Sequence, residues 1–256
     1  AFVDGVVVDL PAAARESGDE LVATTLATLV DAGDAAAAIA WDMAVLAAGE
    51  QRACRLYDDV SPSAPIPVPR RNIICLGKNY LEHAREVAAK MNSSDKPPEH
   101  PIIFTKATTA VIAPGEPVPS YPDLTRKLDY EAELALIIGT GGLVITADIA
   151  WPHVFGFWAN NELSARDMQK NHFQWFRAKS LDGFAPMGPL VVHRRVRALP
   201  EAIVISCSVK GEMRQQATLD QLIFDVPTII ETLSSGMTLL PGDIIATGTP
   251  AGVGMG

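Results

Sequence analysis

The sequence is poor in features that would assign it to several large classes of protein. Its three cysteines, Cys54, Cys75 and Cys207, are far apart and form no C-x-x-C pair, which argues against a disulfide framework or a thiolate metal site. No run of Lys and Arg interrupts a chain of net charge −9, so nucleic acid is not expected as a partner. The most apolar stretch, AAAAIAWDMAVLAAG, is too short for a membrane span and contains Asp42. We therefore expect a cytoplasmic protein with no membrane partner.

Several signature motifs of catalysis are also absent. The chain has no G-x-x-x-x-G-K-[ST] loop, and the glycine-rich segment TGTPAGVG is not followed by a helical pattern, which argues against P-loop and dinucleotide-binding proteins. Neither H-E-x-x-H nor G-x-S-x-G occurs, which removes the common zinc protease and serine hydrolase classes.

The chain divides by composition into three parts. Residues 1–57 have a helix-rich pattern, in which Asp9 is a candidate cap and Pro11 lies in the first turn. Residues 58–71 hold four prolines and are predicted to be a linker. From residue 72 to 256, short β-rich runs alternate with Gly and Pro, namely NIICLG, PIIFTK, EAELALIIG, GLVITADIA, AIVISCSVK and DIIATG. We predict an α+β, β-rich protein with a small helix-containing N-terminal domain.

The segment KLDYEAELALIIG, residues 127–139, places two glutamates in an otherwise apolar predicted strand. Because strand side chains alternate with a period of two, Glu131 and Glu133 are expected on one face. Like charges this close repel unless water or a cation separates them. A divalent metal is one explanation, and a solvent-exposed face is the other. The following GTGG, residues 139–142, predicts a hairpin turn into the next run.

Three further segments concentrate polar groups. In KNYLEHAREVAAKM, Asn79 is a candidate helix cap, and His83 and Glu86 are three residues apart on one predicted helix face. A carboxylate beside an imidazole fixes its tautomer and prepares it to take a proton from water, although a solvated helix face explains such a pair equally simply.

The segment from 160 to 189 mixes polar and aromatic residues, as binding sites often do. Glu162 could complete a three-carboxylate set, and hard oxygen ligands suit Mg²⁺, Mn²⁺ or Ca²⁺. Lys179 could bind an anionic group, or could be an ordinary surface lysine. Near the end, TGTPAGVG brings the flexible Gly248 and the hydroxyl of Thr249 together, which suits carboxylate binding or a tight turn without function.

In order, the blocks CLGKNYLEHAREV, DYEAELALIIG, NNELSARDMQ, RAKSLDGFAPMGP and LLPGDIIATGTPAGVG resemble the successive signatures of the fumarylacetoacetate hydrolase superfamily. The resemblance runs from about residue 72 to the end, and residues 1–57 resemble the small domain appended in many bacterial members. It implies a mixed β-sandwich roll, a homodimer, and Mg²⁺ or Mn²⁺ held by carboxylates. Relatives normally continue past G-V-G, so we expect the C-terminal end to be incomplete.

The resemblance also implies a role for each matching residue. Glu162 stands where the family usually has Asp, which lengthens that side chain by one methylene. The implied metal ligands are Glu131, Glu133 and Glu162; the implied catalytic residues are His83, Glu86 and Lys179; the implied substrate-binding residues are Arg166, Gln169, Thr249 and Gly248.

The resemblance implies a metal-dependent hydrolase that cleaves a C–C bond in a 2-oxo acid or β-dicarbonyl compound, of the acylpyruvate or fumarylacetoacetate type. The alternative is an oxaloacetate-type decarboxylase, or an isomerase or hydratase of aromatic degradation. A carboxylate-binding module that retains the fold without catalysis is the non-enzymatic alternative. In each case the expected partner is a small 2-oxo acid.

Overall fold

The computed structural model describes residues 1–21, 23–91, 96–196 and 203–254. The helices in these ranges are α1 Leu10–Ser17, α2 Leu26–Gly49, α3 Leu81–Met91, α4 Arg166–Asn171, α5 Phe176–Lys179 and α6 Val226–Ser234. The strands are β1 Phe2–Val3, β2 Val6–Val8, β3 Cys54–Leu56, β4 Ile73–Gly77, β5 Ile102–Lys106, β6 Val111–Ile112, β7 Leu128–Asp129, β8 Ala132–Ile138, β9 Val154–Asn161, β10 Ser164–Ala165, β11 Ala185–Pro186, β12 Val192–His193, β13 Val204–Val209, β14 Glu212–Thr218 and β15 Ile244–Ala246. The predicted β-rich α+β class is confirmed.

The N-terminal segment combines two helices with a small sheet. Asp9 caps α1 as predicted, since its carboxylate accepts a hydrogen bond of 3.0 Å from the N–H of Ala12. Helix α2 contains one non-helical residue, Gly33, whose φ of 78° suits glycine. The antiparallel sheet β1-β2-β3 was not predicted, because its strands are only two or three residues long.

A six-stranded mixed sheet in the order β12-β9-β8-β15-β4-β5 forms the centre of the main body. Strand β8 pairs antiparallel with both β9 and β15, while β15 runs parallel to β4. Apolar clusters cover both faces of this sheet. One cluster includes residues of α6, and the other includes Val30 and Ala37 of α2, so the N-terminal helix packs directly on the main core.

The segment KLDYEAELALIIG is divided between two strands, β7 and β8, which pair with different partners. All seven residues of β8 are buried, because both faces of the central sheet are covered. The predicted GTGG hairpin is wrong: β8 pairs with β9, and the chain between them makes bridges elsewhere. Gly142 pairs with Leu239, and the N–H of Val144 donates to the carbonyl of Ser234, so this stretch satisfies its backbone groups without forming a strand.

Residues 60–72, which include most of the predicted linker, contain no helix or strand. Ala64 and Ile66 are nevertheless buried in the cluster that covers one face of the central sheet. The division into domains at 58–71 stays a prediction. Within the described ranges, none of the helices combines the length and the apolar character that crossing a bilayer requires.

Candidate active site

A cavity of about 950 Å³ opens where β4, β7, α3 and α4 approach one another. Its wall includes six of the predicted site residues: His83, Glu131, Arg166, Gln169, Lys179 and Thr249. These residues come from positions up to 166 apart in sequence, so the fold assembles the cavity from distant segments.

The three predicted metal ligands lie together beside this cavity. The pairing of β8 with β9 places Glu162, just after β9, beside Glu131, just before β8, and the N–H of Glu162 donates to the Glu131 carbonyl at 2.8 Å. One carboxylate oxygen from each of Glu131, Glu133 and Glu162 lies within 4.8 Å of the others. Glu131 is 4% exposed and Glu133 is 1% exposed, so the alternative of a solvated strand face is wrong.

Glu131 is surrounded by hydrogen-bond donors. Lys179 Nζ lies 3.0 Å from both carboxylate oxygens, Arg166 Nη1 lies 2.6 Å from Oε1, and the hydroxyl of Ser164 donates to Oε1 at 2.8 Å. Burial alone would raise the pKa of Glu131, but the charges of Lys179 and Arg166 outweigh it and hold that pKa well below its usual range. Glu131 is therefore ionised at neutral pH.

Glu162 joins two buried lysines. Lys106 Nζ lies 3.0 Å from its Oε1, and Lys179 Nζ lies 2.7 Å from its Oε2. Burial raises the pKa of Glu162 above its ordinary value, although both lysines act in the opposite direction. Burial alone would lower the pKa of Lys179, but Glu131 and Glu162 reverse this and raise it, so Lys179 stays a cation.

Lys106 is a site residue that the sequence analysis missed. It is fully buried at the end of β5 and also donates to the Leu163 carbonyl at 2.9 Å. In the sequence, Lys106 directly follows the apolar run PIIFT, which is expected to be a buried strand. A lysine is almost never fully buried unless it is paired, so this position indicated a buried acidic partner.

Of the triad formed by Glu131, Glu133 and Glu162, Glu133 has the fewest hydrogen-bond and ion-pair partners. Its Oε2 accepts a hydrogen bond of 3.1 Å from the N–H of Gly248, whereas its buried Oε1 has no partner within the described part of the chain. Burial and then the nearby charges of Glu162 and Glu131 raise the pKa of Glu133 well above its usual range. A buried acceptor without a donor is costly. A hard divalent cation bound by three carboxylates would satisfy it, so the residues fit a Mg²⁺ or Mn²⁺ site.

His83 and Glu86 lie on α3 and meet as predicted. His83 Nδ1 is 3.2 Å from Glu86 Oε2, and His83 is 5% exposed, so the solvated-face alternative is wrong for this histidine. The N–H of Gly252 lies 3.3 Å from each carboxylate oxygen of Glu86. Burial alone would raise the pKa of Glu86, but the hydrogen bonds from His83 and Gly252 lower it overall.

The predicted capping role of Asn79 is wrong. Its side-chain amide donates to the carbonyls of Phe224 and Thr247 at 3.0 and 2.8 Å, and its oxygen accepts from the N–H of Phe224 at 2.8 Å. Asn79 therefore joins the start of α3 to two distant segments, a use that local sequence pattern does not reveal.

The predicted substrate-binding residues are arranged in two groups. Arg166 and Gln169 lie on α4 and are hydrogen-bonded to each other at 3.0 Å. The hydroxyl of Thr249 donates to the Ala132 carbonyl at 2.9 Å and accepts from the buried amide of Gln215 at 2.8 Å. The predicted contacts of Thr249 and Gly248 with substrate stay predictions, because protein groups already use the Thr249 hydroxyl and the Gly248 N–H.

Comparisons with known proteins agree with this arrangement. The family model described as Fumarylacetoacetate (FAA) hydrolase C-terminal matches residues 72–256. Over 198 residues the chain is 50% identical to "Oxaloacetate tautomerase YisK" of Bacillus subtilis (strain 168), a match that covers 77% of this chain and 64% of the relative. The matched region is thus less than two thirds of that relative's length.

Two solved structures have similar folds. A fumarylacetoacetate hydrolase from psychrophilic Exiguobacterium antarcticum is 38% identical, with a TM-score of 0.72, 92% of this chain and 79% of that chain covered. A maleylpyruvate hydrolase from Sphingobium sp. SYK-6, in complex with manganese (II) ion and pyruvate, is 27% identical, with a TM-score of 0.75, 99% of this chain and 86% of that chain covered.

Proposed function

The chain belongs to the fumarylacetoacetate hydrolase family, and from this premise we propose that it is a divalent-metal-dependent enzyme that enolises a 2-oxo acid. The observation that carries the proposal is the buried triad of Glu131, Glu133 and Glu162, with one carboxylate oxygen of Glu133 lacking a donor. The proposed reaction is keto–enol tautomerisation of an oxaloacetate-type substrate. The 50% identity to an oxaloacetate tautomerase supports this choice.

Each residue of the site has a definite part in this proposal. When bound, Mg²⁺ or Mn²⁺ supplies a Lewis acid that stabilises negative charge on the oxygens of the substrate. The Lys179 ammonium lies against two of the three carboxylates and provides a second positive charge for the oxygen that becomes negative. Arg166 and Gln169 orient the substrate from the α4 side of the cavity.

In this proposal His83 transfers the proton. Its Nδ1 faces Glu86, so with the proton held on Nδ1 the other ring nitrogen, Nε2, is the proton acceptor. Nε2 takes the proton from the carbon next to the 2-oxo group, and the proton returns to the oxygen, which converts the C–H bond of the ketone into the O–H bond of the enol. No water is consumed in this reaction.

The second candidate is the hydrolytic C–C cleavage that the sequence analysis placed first. The buried pair of His83 and Glu86 favours it, since the same imidazole could take a proton from a water molecule that attacks a second carbonyl. Both reactions form an enolate of the 2-oxo acid, and they differ in the source of the proton that His83 accepts. A homodimer and a cytoplasmic location remain part of the proposal.

The test is turnover of oxaloacetate and of acetylpyruvate by the purified protein with Mn²⁺, before and after EDTA. Loss of enol absorbance without release of pyruvate indicates tautomerisation, whereas pyruvate from acetylpyruvate indicates hydrolysis and pyruvate from oxaloacetate indicates decarboxylation. His83→Gln should lower the proton-transfer rate about 100-fold or more. His100→Gln is the control, because His100 is exposed and outside the cavity wall. A rate insensitive to both EDTA and His83→Gln would refute the proposal.

A further inference from the structure

The cavity wall carries a local excess of positive charge on a protein of net charge −9. Besides Lys179 and Arg166, four lysines line it, at positions 78, 90, 127 and 170. None of these four forms an ion pair with a residue in the described ranges. A cavity lined by an excess of one charge raises the local concentration of ions of opposite charge, and it does so more strongly for a dianion than for a monoanion.

The acidic groups on the same wall do not cancel this excess. Asp129 accepts a hydrogen bond from Arg166 at 2.7 Å, and Glu131 is paired with Lys179 and Arg166. The third, Asp167, accepts hydrogen bonds from the Thr125 hydroxyl and the backbone N–H of Arg126 at 2.6 and 2.9 Å. These donors to Asp167 are neutral and leave its charge in place, but the wall has six Lys and Arg side chains against three carboxylates, so a positive excess remains.

Lys78 differs from the other three lysines in its backbone and its burial. Its φ is 53°, in the left-handed region that residues other than glycine rarely adopt. It is half-buried, whereas Lys90, Lys127 and Lys170 are exposed. A cation that is partly removed from water interacts more strongly with an anion than an exposed one does.

The neighbours of Lys78 hold this unusual conformation on both sides. A Cβ on Gly77 would lie 2.5 Å from the ring of Trp175, so the chain passes directly beneath that ring. On the other side, Asn79 is held by the three hydrogen bonds to Phe224 and Thr247. Backbone strain that the surroundings maintain in this way is concentrated at functional sites.

We propose that Lys78 binds a second carboxylate of the substrate, which makes 2-oxo dicarboxylic acids the preferred substrate class of this site. The inference rests on the proposed function, because the 2-oxo acid end of the substrate must occupy the triad for its other end to reach Lys78. The charged hydrogen bond to the second carboxylate would contribute to binding and not to proton transfer, so Lys78 acts on KM and leaves kcat nearly unchanged.

The first experiment compares binding, which does not require turnover. Titration calorimetry with the Mn²⁺-loaded protein uses two probes: oxalate, which resembles the 2-oxo acid end alone, and 2-oxoglutarate, which carries a second carboxylate. Lys78→Gln should weaken 2-oxoglutarate binding about tenfold or more and leave oxalate binding unchanged, and Lys78→Arg should restore most of the loss. Equal weakening of both probes, or of neither, would overturn the inference.

Two further variants sharpen this comparison. Lys210→Gln is the matched control, since Lys210 also has a φ of 53° but lies in the exposed turn between β13 and β14. It should bind both probes as the wild type does. Lys170→Gln tests the alternative that Lys170 binds the second carboxylate. If 2-oxoglutarate binding is weakened in Lys170→Gln and not in Lys78→Gln, the assignment to Lys78 is wrong.

The second experiment separates failure of this inference from failure of the proposed function. KM and kcat are measured for oxaloacetate and for acetylpyruvate, which has one carboxylate. We expect Lys78→Gln to raise the KM for oxaloacetate about tenfold and to leave its kcat, and both constants for acetylpyruvate, unchanged. This result would support the role of Lys78 in binding the second carboxylate. The wild type could turn over neither substrate while Lys78→Gln still weakened the binding of 2-oxoglutarate and not that of oxalate. This result would refute the proposed reaction and leave the assignment of Lys78 intact.

Discussion

The backbone N–H of Gly252 points at the carboxylate of Glu86, 3.3 Å from each of its oxygens. The loop after β15 thereby holds the residue that orients His83. Gly252 has a φ of 99°, and a Cβ at this position would lie 1.9 Å from the carbonyl oxygen of Arg214. No side chain can be accommodated there without moving the loop.

We therefore expect Gly252→Ala to lower turnover about 100-fold, because displacing the loop releases Glu86 and misorients His83. Metal affinity should change much less than kcat. Gly5→Ala is the control, since Gly5 also has a positive φ, 88°, but nothing lies within 4 Å of its Cβ position. Wild-type turnover in Gly252→Ala would show that Glu86 does not depend on this loop.

Glu133 provides a direct test of the metal site. Replacing it by Gln keeps the shape of the side chain but removes the carboxylate charge, so Mn²⁺ affinity measured by calorimetry should fall by at least about 100-fold. Glu116→Gln serves as a control, because Glu116 is an exposed carboxylate whose hydrogen bond is local. Mn²⁺ should also raise the melting temperature of the wild type, and EDTA should reverse this rise. Unchanged affinity in Glu133→Gln would exclude Glu133 as a ligand.

Gln215 is expected to stabilise the loop that carries Thr249. Its amide oxygen accepts from the N–H of Ala132 at 2.9 Å, and its nitrogen donates to Thr249 and to the Pro250 carbonyl at 2.8 Å. Gln215→Met fills similar space but leaves buried polar groups unpaired, so the free energy of unfolding in urea should fall by about 3 kcal/mol. The neighbouring Gln216 is exposed, and Gln216→Met should have little effect. Equal stability of the two variants would contradict this role.

His193 should make stability depend on pH. Burial lowers its pKa below the ordinary value, although Asp34, 3.5 Å from Nε2, acts in the opposite direction. The unfolded chain therefore binds the proton first as the pH falls below about 6.5, and the folded state loses stability from that point down to the lowered pKa. Above that window both states are neutral and the effect is absent.

The measurement is the free energy of unfolding at several pH values from about 5 to 7.5 for wild type and His193→Phe, which retains a ring to pack against Phe155. Removing His193 should make the decline at low pH shallower. His172→Gln provides the comparison, because His172 is exposed. An unchanged slope in His193→Phe would mean that other groups cause the decline.

Local predictions were correct for several segments that had one dominant pattern. Capping chemistry predicted the cap at Asp9, and apolar periodicity predicted strands β4 and β5 and helix α3, because both act over a few residues. The cap predicted for α3 at Asn79 was wrong, because distant segments use its side chain. The GTGG hairpin failed because a distant segment, at Leu239, satisfies the backbone of this region. Local propensity carries no information about such a partner.

For the candidate site, the residue types and their order in the chain determined which chemistry is available: three glutamates for a hard cation, and a histidine with a glutamate for proton transfer. Only the tertiary structure decided that these groups are buried together, that Lys106 and Lys179 join Glu162, and that one oxygen of Glu133 lacks a donor. The physical reason is that the pKa and the binding capacity of a charged group depend on burial and on neighbours in space. Those neighbours are brought together by the pairing of β8 with β9 and β15, which is fixed by the packing of the whole sheet.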